Sequence, residues 1–98
     1  MKIFTHEVLD DLAAMLKIDS IDSYPYIETR LIPAAEVVIA EAVGAAWVAK
    51  NERDPAVVQA ACALVAAWFE KPELFGELTP GANFIVSQLQ ARALEAAT

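Results

Sequence analysis

The sequence predicts a small all-α domain made of four helices. Apolar residues recur at helical spacing along most of the 98-residue chain, and no stretch alternates apolar and polar residues as a strand would. The length fits a single domain, residues 1–98. Hydrophobic residues make up 57% of the chain, above the roughly 45–50% of a typical soluble domain. The surplus indicates an apolar surface that a partner covers; the alternative is an alanine-rich helical protein without such a surface.

The first two helices are predicted from their caps and breaks. The first helix begins after the cap residue Thr5 and ends before the turn-forming segment 17–25. The second helix is long, running from about Tyr24 to Gly44. Pro33 lies inside its pattern and is expected to kink it, because proline removes one intrahelical hydrogen bond. Gly44 is the expected end, although residues 45–51 could continue the helix by about another turn.

The third and fourth helices are separated by a loop rich in proline and glycine. The third helix is predicted over residues 55–70, with Asp54 as its cap. It is apolar nearly all round, interrupted in its middle only by Gln59, so we expect it to be central to the fold. Residues 72–81 form the loop, and the last helix starts at about Ala82.

Composition and motifs argue against catalysis, metal binding and nucleic-acid binding. The net charge is −7, and the seven Lys and Arg residues form no cluster that would bind phosphates. The single histidine, His6, and the single cysteine, Cys62, lie in different patterns, so no metal site is expected. Asp10 and Asp11 are adjacent on a helix and point about 100° apart, so they do not converge on one reacting atom. The sequence predicts no enzyme and no cofactor, and neither a signal peptide nor a membrane span is expected from it.

Several large side chains from Trp47 onward are candidate anchors of the core or of an interface. Trp68 lies on the main apolar stripe of the third helix, so we expect it in the core. Trp47 lies near a predicted helix end, and both interpretations stay open for it. Phe69 flanks Trp68, and Phe84 and Leu89 are apolar positions of the last helix. Arg92, on the same helix, is the sixth candidate anchor.

The order of these helices and a few local strings resemble the head–tail connector (head-completion adaptor) family of tailed bacteriophages and prophages. The resemblance covers residues from about 6 to 92. It is strongest at Trp68-Phe69-Glu70 in "AAWFEKPEL", where the family carries Trp-Tyr-Glu, and at Leu89 and Arg92 in "FIVSQLQAR". Phe69 lacks the usual tyrosine hydroxyl. Lys71-Pro72 stands where Asn-Arg is common, so an arginine contact at that point is not carried over.

The resemblance implies a structural protein of the virion neck, assembled in the cytoplasm of the bacterial host. Such proteins form a ring of about twelve subunits. The ring sits under the portal protein, offers a platform to a stopper or tail-completion protein, and extends the DNA channel. DNA would pass through without specific binding, and no membrane would be involved.

The resemblance also implies positions for some residues. Glu36, Glu41 and the acidic residues of the first helix are candidates to face the lumen, and residues 84–98 are candidates to contact the portal. The competing hypothesis, from a different functional class, is a small helical protein-binding or regulatory module that acts as a dimer.

Overall fold

The computed structural model describes residues 2–96, and every regular element within that range is helical. Five α-helices follow one another: α1 (His6–Leu16), α2 (Ile32–Val43), α3 (Ala45–Lys50), α4 (Pro55–Glu70) and α5 (Pro80–Ala96). Short 3-10 turns cover Ile21–Ser23 and Pro72–Leu74, and a π-helical turn covers Ile27–Leu31. The all-α prediction is confirmed for the described residues. The predicted number of four helices is wrong.

Gly44 accounts for the additional helix. Its backbone has φ 123° and ψ 117°, a region that glycine enters easily because it has no Cβ. Its amide donates to the carbonyl of Ala40 at 2.8 Å, and its carbonyl accepts from the amide of Val48 at 3.0 Å. One residue therefore ends α2 and begins α3, so residues 45–50 form a separate short helix and do not extend the second one.

The chain enters α2 through the π-helical turn at Ile27–Leu31. The amide of Ile32 donates to the carbonyl of Ile27, five residues back. Pro33 has no amide hydrogen, and in a regular helix its ring crowds the carbonyl four residues earlier. A wider turn directly before Pro33 relieves this crowding. The kink predicted at Pro33 stays a prediction.

Hydrogen bonds hold the N-terminal segment in place at Ile3 and at Thr5, just before α1. Thr5 Oγ1 accepts a hydrogen bond from the amide of Val8 at 3.3 Å, so Thr5 caps α1 as predicted. Glu36 Oε2 accepts from the amide of Ile3 at 2.8 Å, and Arg53 donates to the carbonyl of Ile3 at 3.3 Å. The side chain of Ile3 is fully buried, so the residues before α1 belong to the core.

Helix α4 contributes many core residues: Val57, Ala60, Ala61, Cys62, Leu64, Val65 and Trp68. Asp54 caps it as predicted, since its Oδ1 accepts from the amide of Ala56 at 2.9 Å, and Pro55 is the first helical residue. Helix α4 contacts α1, α2 and α5, and its contact with α5 is the most extensive helix pairing. The second half of the chain therefore carries much of the core.

The connection between α4 and α5 is shorter than the sequence predicted. Helix α5 begins at Pro80, because proline presets the backbone angle of a first helical residue. The carbonyl of the buried Thr79 accepts from the amide of Asn83 at 2.8 Å. Trp68 Nε1 donates to the carbonyl of Glu77 at 3.0 Å, and this bond ties the connection to the core.

Candidate protein-interaction surfaces

An open groove lined by aromatic side chains lies beside the C-terminal end of α4. We call it the aromatic groove; its volume is about 260 Å³, and it is lined by Tyr26, Arg30, Leu31, Trp68, Pro72 and Phe75. Trp68 is buried in the core. Phe75 and Tyr26 retain 46% and 44% of their surfaces. Exposed aromatic side chains at one concave surface are typical of a site that binds another protein.

Phe69 borders this groove through two tyrosines. Its ring stacks on Tyr26, with centroids 6.2 Å apart and planes inclined by 8°. It also meets Tyr24 edge-on, with centroids 5.6 Å apart. Each aromatic pair of this kind contributes about 0.5–1.5 kcal/mol beyond simple burial. Phe69 is half-buried, so it packs in a surface aromatic cluster of its own chain, and it has no hydroxyl that needs a partner.

Arg30 supplies positive charge at the aromatic groove. It is exposed and forms no ion pair within residues 2–96. A guanidinium presents a rigid fork of donors that suits a carboxylate. The chain has 14 Asp and Glu residues against seven Lys and Arg. An acidic protein surface, including that of a second copy, therefore matches this corner of the groove.

Helix α5 exposes an apolar stripe on the side away from the core. Phe84 and Leu94 are each 70% exposed, and the small exposed residues Ser87 and Ala91 lie between them. Steps of three, four and three residues place all four on one side of a helix. We call this stripe the outer α5 face. The opposite side of the helix buries Ala82, Val86 and Leu89, so α5 covers the core with one side and leaves a second apolar side uncovered.

Arg92 and Trp47 meet where α3, the start of α4 and α5 converge. The guanidinium of Arg92 lies 5.5 Å from the ring centroid of Trp47. Its Nη2 donates to Asp54 Oδ2 at 2.5 Å. This hydrogen bond is the largest influence that lowers the pKa of the Asp54 carboxyl, and the amide of Ala56 lowers it further. The junction is therefore an internal clamp between helices, which leaves Trp47 half-buried.

The six anchors named from the sequence occupy three environments. Trp68 and Leu89 lie in the core. Trp47 and Phe69 are half-buried, while Phe84 and Arg92 are exposed. The fold brings Trp47 and Arg92 into contact. It places Phe84 on a different surface from Phe69, so the six do not form one site.

Sequence reasoning missed the side chains that complete the aromatic groove, namely Tyr26, Arg30 and Phe75. They come from segments more than 40 positions apart, and no local pattern shows that these segments meet. One signal was available in the sequence. The Tyr-Pro-Tyr string at 24–26 places two tyrosines outside any apolar stripe, and exposed tyrosines are enriched at interfaces.

Groups that could carry other chemistry are isolated. Within residues 2–96 no cluster of three or more His, Cys, Asp or Glu side chains could hold a metal ion. His6 is exposed at the start of α1. Cys62 is buried, and this burial, reinforced by the charge of Asp11, raises the pKa of its thiol to about 11. The thiol is therefore protonated at neutral pH.

The acidic residues named for a channel wall differ in their surroundings. Glu36 is half-buried and accepts the hydrogen bond from Ile3 described above. Glu41 is exposed, as are Glu7, Asp10 and Asp11 on α1. Glu36 therefore has a structural role in this chain, whereas Glu41 and the three acids of α1 are open to solvent.

No protein-family model, curated protein or solved structure matches this chain. None of the helices in the described part of the chain combines the length and the apolar character that crossing a membrane requires.

Proposed function

We propose that this protein is a structural component of the neck of a tailed bacteriophage or prophage virion, where it forms a ring between the portal protein and a stopper or tail-completion protein. One observation carries the proposal: a small chain presents two different apolar surfaces, the aromatic groove and the outer α5 face. In a closed ring, one surface of each subunit binds a different surface of its neighbour. A subunit under the portal needs one surface for its neighbour and another for the portal, and the two unlike apolar surfaces of this chain can serve these partners separately.

The shapes of the two surfaces suit them to two different partners. The aromatic groove is concave and has a volume of about 260 Å³. The outer α5 face projects two large side chains, Phe84 and Leu94. A hollow lined by aromatic side chains and a projecting apolar side chain are the two halves of an interface hot spot, so each surface needs a complementary surface on its own partner. The unpaired guanidinium of Arg30 adds an attraction to the acidic surface of a neighbour.

The charge of the protein suits a channel through which DNA slides. Tight DNA binding requires Lys and Arg side chains that neutralise phosphates. This chain has a net charge of −7 and exposes Glu7, Asp10 and Asp11 on one helix. A ring with such residues on its inner wall would repel the duplex and leave it mobile.

The resemblance to the connector family assigns the contact with the portal to residues 84–98. The outer α5 face lies within this segment, and its two large apolar side chains are available for a partner. Residues 97 and 98 lie outside the described residues. The proposal therefore gives α5 the role of docking helix and the aromatic groove the role of contact between subunits.

Co-sedimentation with tailless, portal-containing capsids tests this function. The capsids are those of the phage or prophage whose portal gene neighbours the gene for this protein. We expect the native protein to sediment with them, Phe84→Asp to lose binding, and Phe75→Ser to bind in sub-stoichiometric amounts because ring closure fails. Val37→Asp is the matched control, since Val37 is a 54% exposed apolar residue on α2 that lines neither the aromatic groove nor the depression on α5. Absence of binding by the folded native protein would overturn the proposal and favour the dimeric regulatory module.

A further inference from the structure

We propose that two copies of the free protein pair through the outer α5 face, with their α5 helices antiparallel about a two-fold axis. The observation behind this proposal is the order of side chains along the stripe. Phe84, Ser87, Ala91 and Leu94 read as large, small, small, large, and Phe84 and Leu94 are equally exposed at 70%. The pairing rests on the geometry of α5 and not on the neck function.

The stripe is complementary to itself in the antiparallel direction. The same spacing of three, four and three residues is read from either end. When two such helices run in opposite directions, Phe84 of one copy faces Leu94 of the partner subunit, and Ser87 faces Ala91 of the partner subunit. The helices then meet in four layers, with large residues at both ends and small residues at the centre. A parallel pair would instead stack each residue on its own copy, Phe84 on Phe84 of the partner subunit and Ser87 on Ser87 of the partner subunit.

The centre of the stripe accepts a close approach without an unsatisfied polar group. Ser87 and Ala91, together with Pro80, Asn83, Phe84 and Gln88, line a shallow depression. The hydroxyl of Ser87 already donates to the carbonyl of Asn83 at 2.9 Å. Covering this serine therefore leaves its donor satisfied within its own helix, which removes the main cost of burying a hydroxyl.

Electrostatics favour α5 over the other long helices as a self-pairing surface. Helix α1 carries Glu7, Asp10 and Asp11, and α2 carries Glu36 and Glu41, so pairing either helix with its copy brings like charges together. The only charged residues of α5 are Arg92 and Glu95, so the side chains of this helix carry no net charge. Antiparallel helices also place opposite ends of their dipoles side by side.

The area of the pair sets its strength. Helix α5 has 17 residues and is about 25 Å long at ~1.5 Å per residue. Pairing along this length buries on the order of 1,000 Å² in total, the lower limit for a specific interface. We therefore expect a dissociation constant on the order of 10–100 µM. The outer α5 face can cover one partner at a time, so docking on a portal through this face requires the pair to separate.

Sedimentation equilibrium over a concentration series tests the pairing. The mass of the native protein is expected to rise from 10.6 kDa to twice that value as the concentration increases through the range given above. Phe84→Asp should weaken association at least about 30-fold, a change in affinity that loss of one anchor can produce. Val37→Asp, the matched control on α2, should leave it unchanged. A native protein that stays monomeric at about 1 mM, or equal effects of the two substitutions, would overturn the pairing.

Disulfide trapping then tests the antiparallel register. In this register Ser87 faces Ala91 of the partner subunit, whereas two copies of residue 87 lie four residues apart along the axis, about 6 Å. Two cysteines separated by this axial offset, and also by the distance between the two helices, do not form a disulfide readily. A mixture of the Ser87→Cys and Ala91→Cys variants should oxidise to a linked heterodimer, and each variant alone should link much more slowly. The buried Cys62 stays out of this reaction. Faster linking of either variant alone would exclude the antiparallel register, while a failed capsid assay would leave both of these results unchanged.

Discussion

Asp54 accepts a hydrogen bond from Arg92 at 2.5 Å while its other carboxylate oxygen caps α4. The two residues are 38 positions apart in the sequence. One carboxylate thus joins the N-terminus of α4 to the C-terminal half of α5, and the ring of Trp47 lies against the same guanidinium. The clamp holds α5 while the outer α5 face points away from the core.

The two partners of this clamp should differ in their importance for stability. Asp54→Ala removes the cap and the ion pair together and should lower the free energy of unfolding by about 1–2 kcal/mol. Arg92→Ala should cost less, because the guanidinium is exposed and its charge is screened by water. Urea unfolding monitored by circular dichroism measures both. A greater loss for Arg92→Ala than for Asp54→Ala would show that the contact with Trp47, and not the cap, holds the helices together.

Acid should weaken the clamp. The hydrogen bond from Arg92 lowers the pKa of Asp54 below 3.8 in the folded protein. A carboxyl whose pKa is lowered by folding contributes stability above its unfolded pKa and loses it as the pH falls through the folded pKa. The contribution of Asp54 to the stability of the folded protein is therefore complete at neutral pH, and it declines as the pH falls below about 4.

Asp54→Asn isolates this effect, because asparagine keeps the cap but does not titrate. The melting temperatures of the native protein and of Asp54→Asn should converge between pH 6 and pH 2. Asp22→Asn is the control, since Asp22 is exposed and forms no ion pair within the described range. A constant difference between native protein and Asp54→Asn across that range would contradict the assignment.

Among the substitutions considered, truncation of Trp68 should lower the free energy of unfolding most. Its side chain is 1% exposed, and its Nε1 donates to the carbonyl of Glu77. Trp68→Ala should lower the free energy of unfolding by about 3–5 kcal/mol, through a cavity and the lost bond. Trp68→Phe keeps part of the volume and should cost less. A soluble Trp68→Ala variant with an unchanged melting transition would show that Trp68 does not support the fold.

Much of the fold could be predicted because its signals are local. Thr5 and Asp54 were recognised as caps since a cap depends on the residues next to it. The sequence does not decide whether the helix breaks at Gly44, because residues 45–50 are compatible with a helix and only the φ of 123° at Gly44 separates the two helices. That backbone angle cannot be read from the residue types around Gly44.

The surfaces are harder to predict than the caps, because they join residues that are distant in the sequence. Trp68 lies in the core, and its position on the apolar stripe of α4 is a local signal of that burial. The aromatic groove joins Tyr26 to Phe75, and the clamp joins Asp54 to Arg92, across long stretches of chain. The sequence pattern identifies the large apolar positions of α5, such as Phe84 and Leu89, but their division between an inner and an outer side depends on which side meets α4.

Two glycine substitutions should have opposite effects. Gly44→Ala places a Cβ on a backbone with φ 123°; no atom lies within 4 Å of that Cβ, so strain is the whole cost. We expect a loss of about 1–3 kcal/mol. Gly81 lies in the first turn of α5 with open space around its Cβ. Gly81→Ala should therefore raise stability by up to about 1 kcal/mol. Thermal unfolding of the two variants measures both shifts, and a stabilising Gly44→Ala would exclude the strained conformation.

Electron microscopy of the protein mixed with tailless, portal-containing capsids is the most direct test of the neck function. The expected image is a closed ring of additional density on the outer end of the portal, continuous with its channel. Phe84→Asp should remove this ring while Val37→Asp retains it. Portals that stay bare in the presence of saturating, folded native protein would contradict the proposed function.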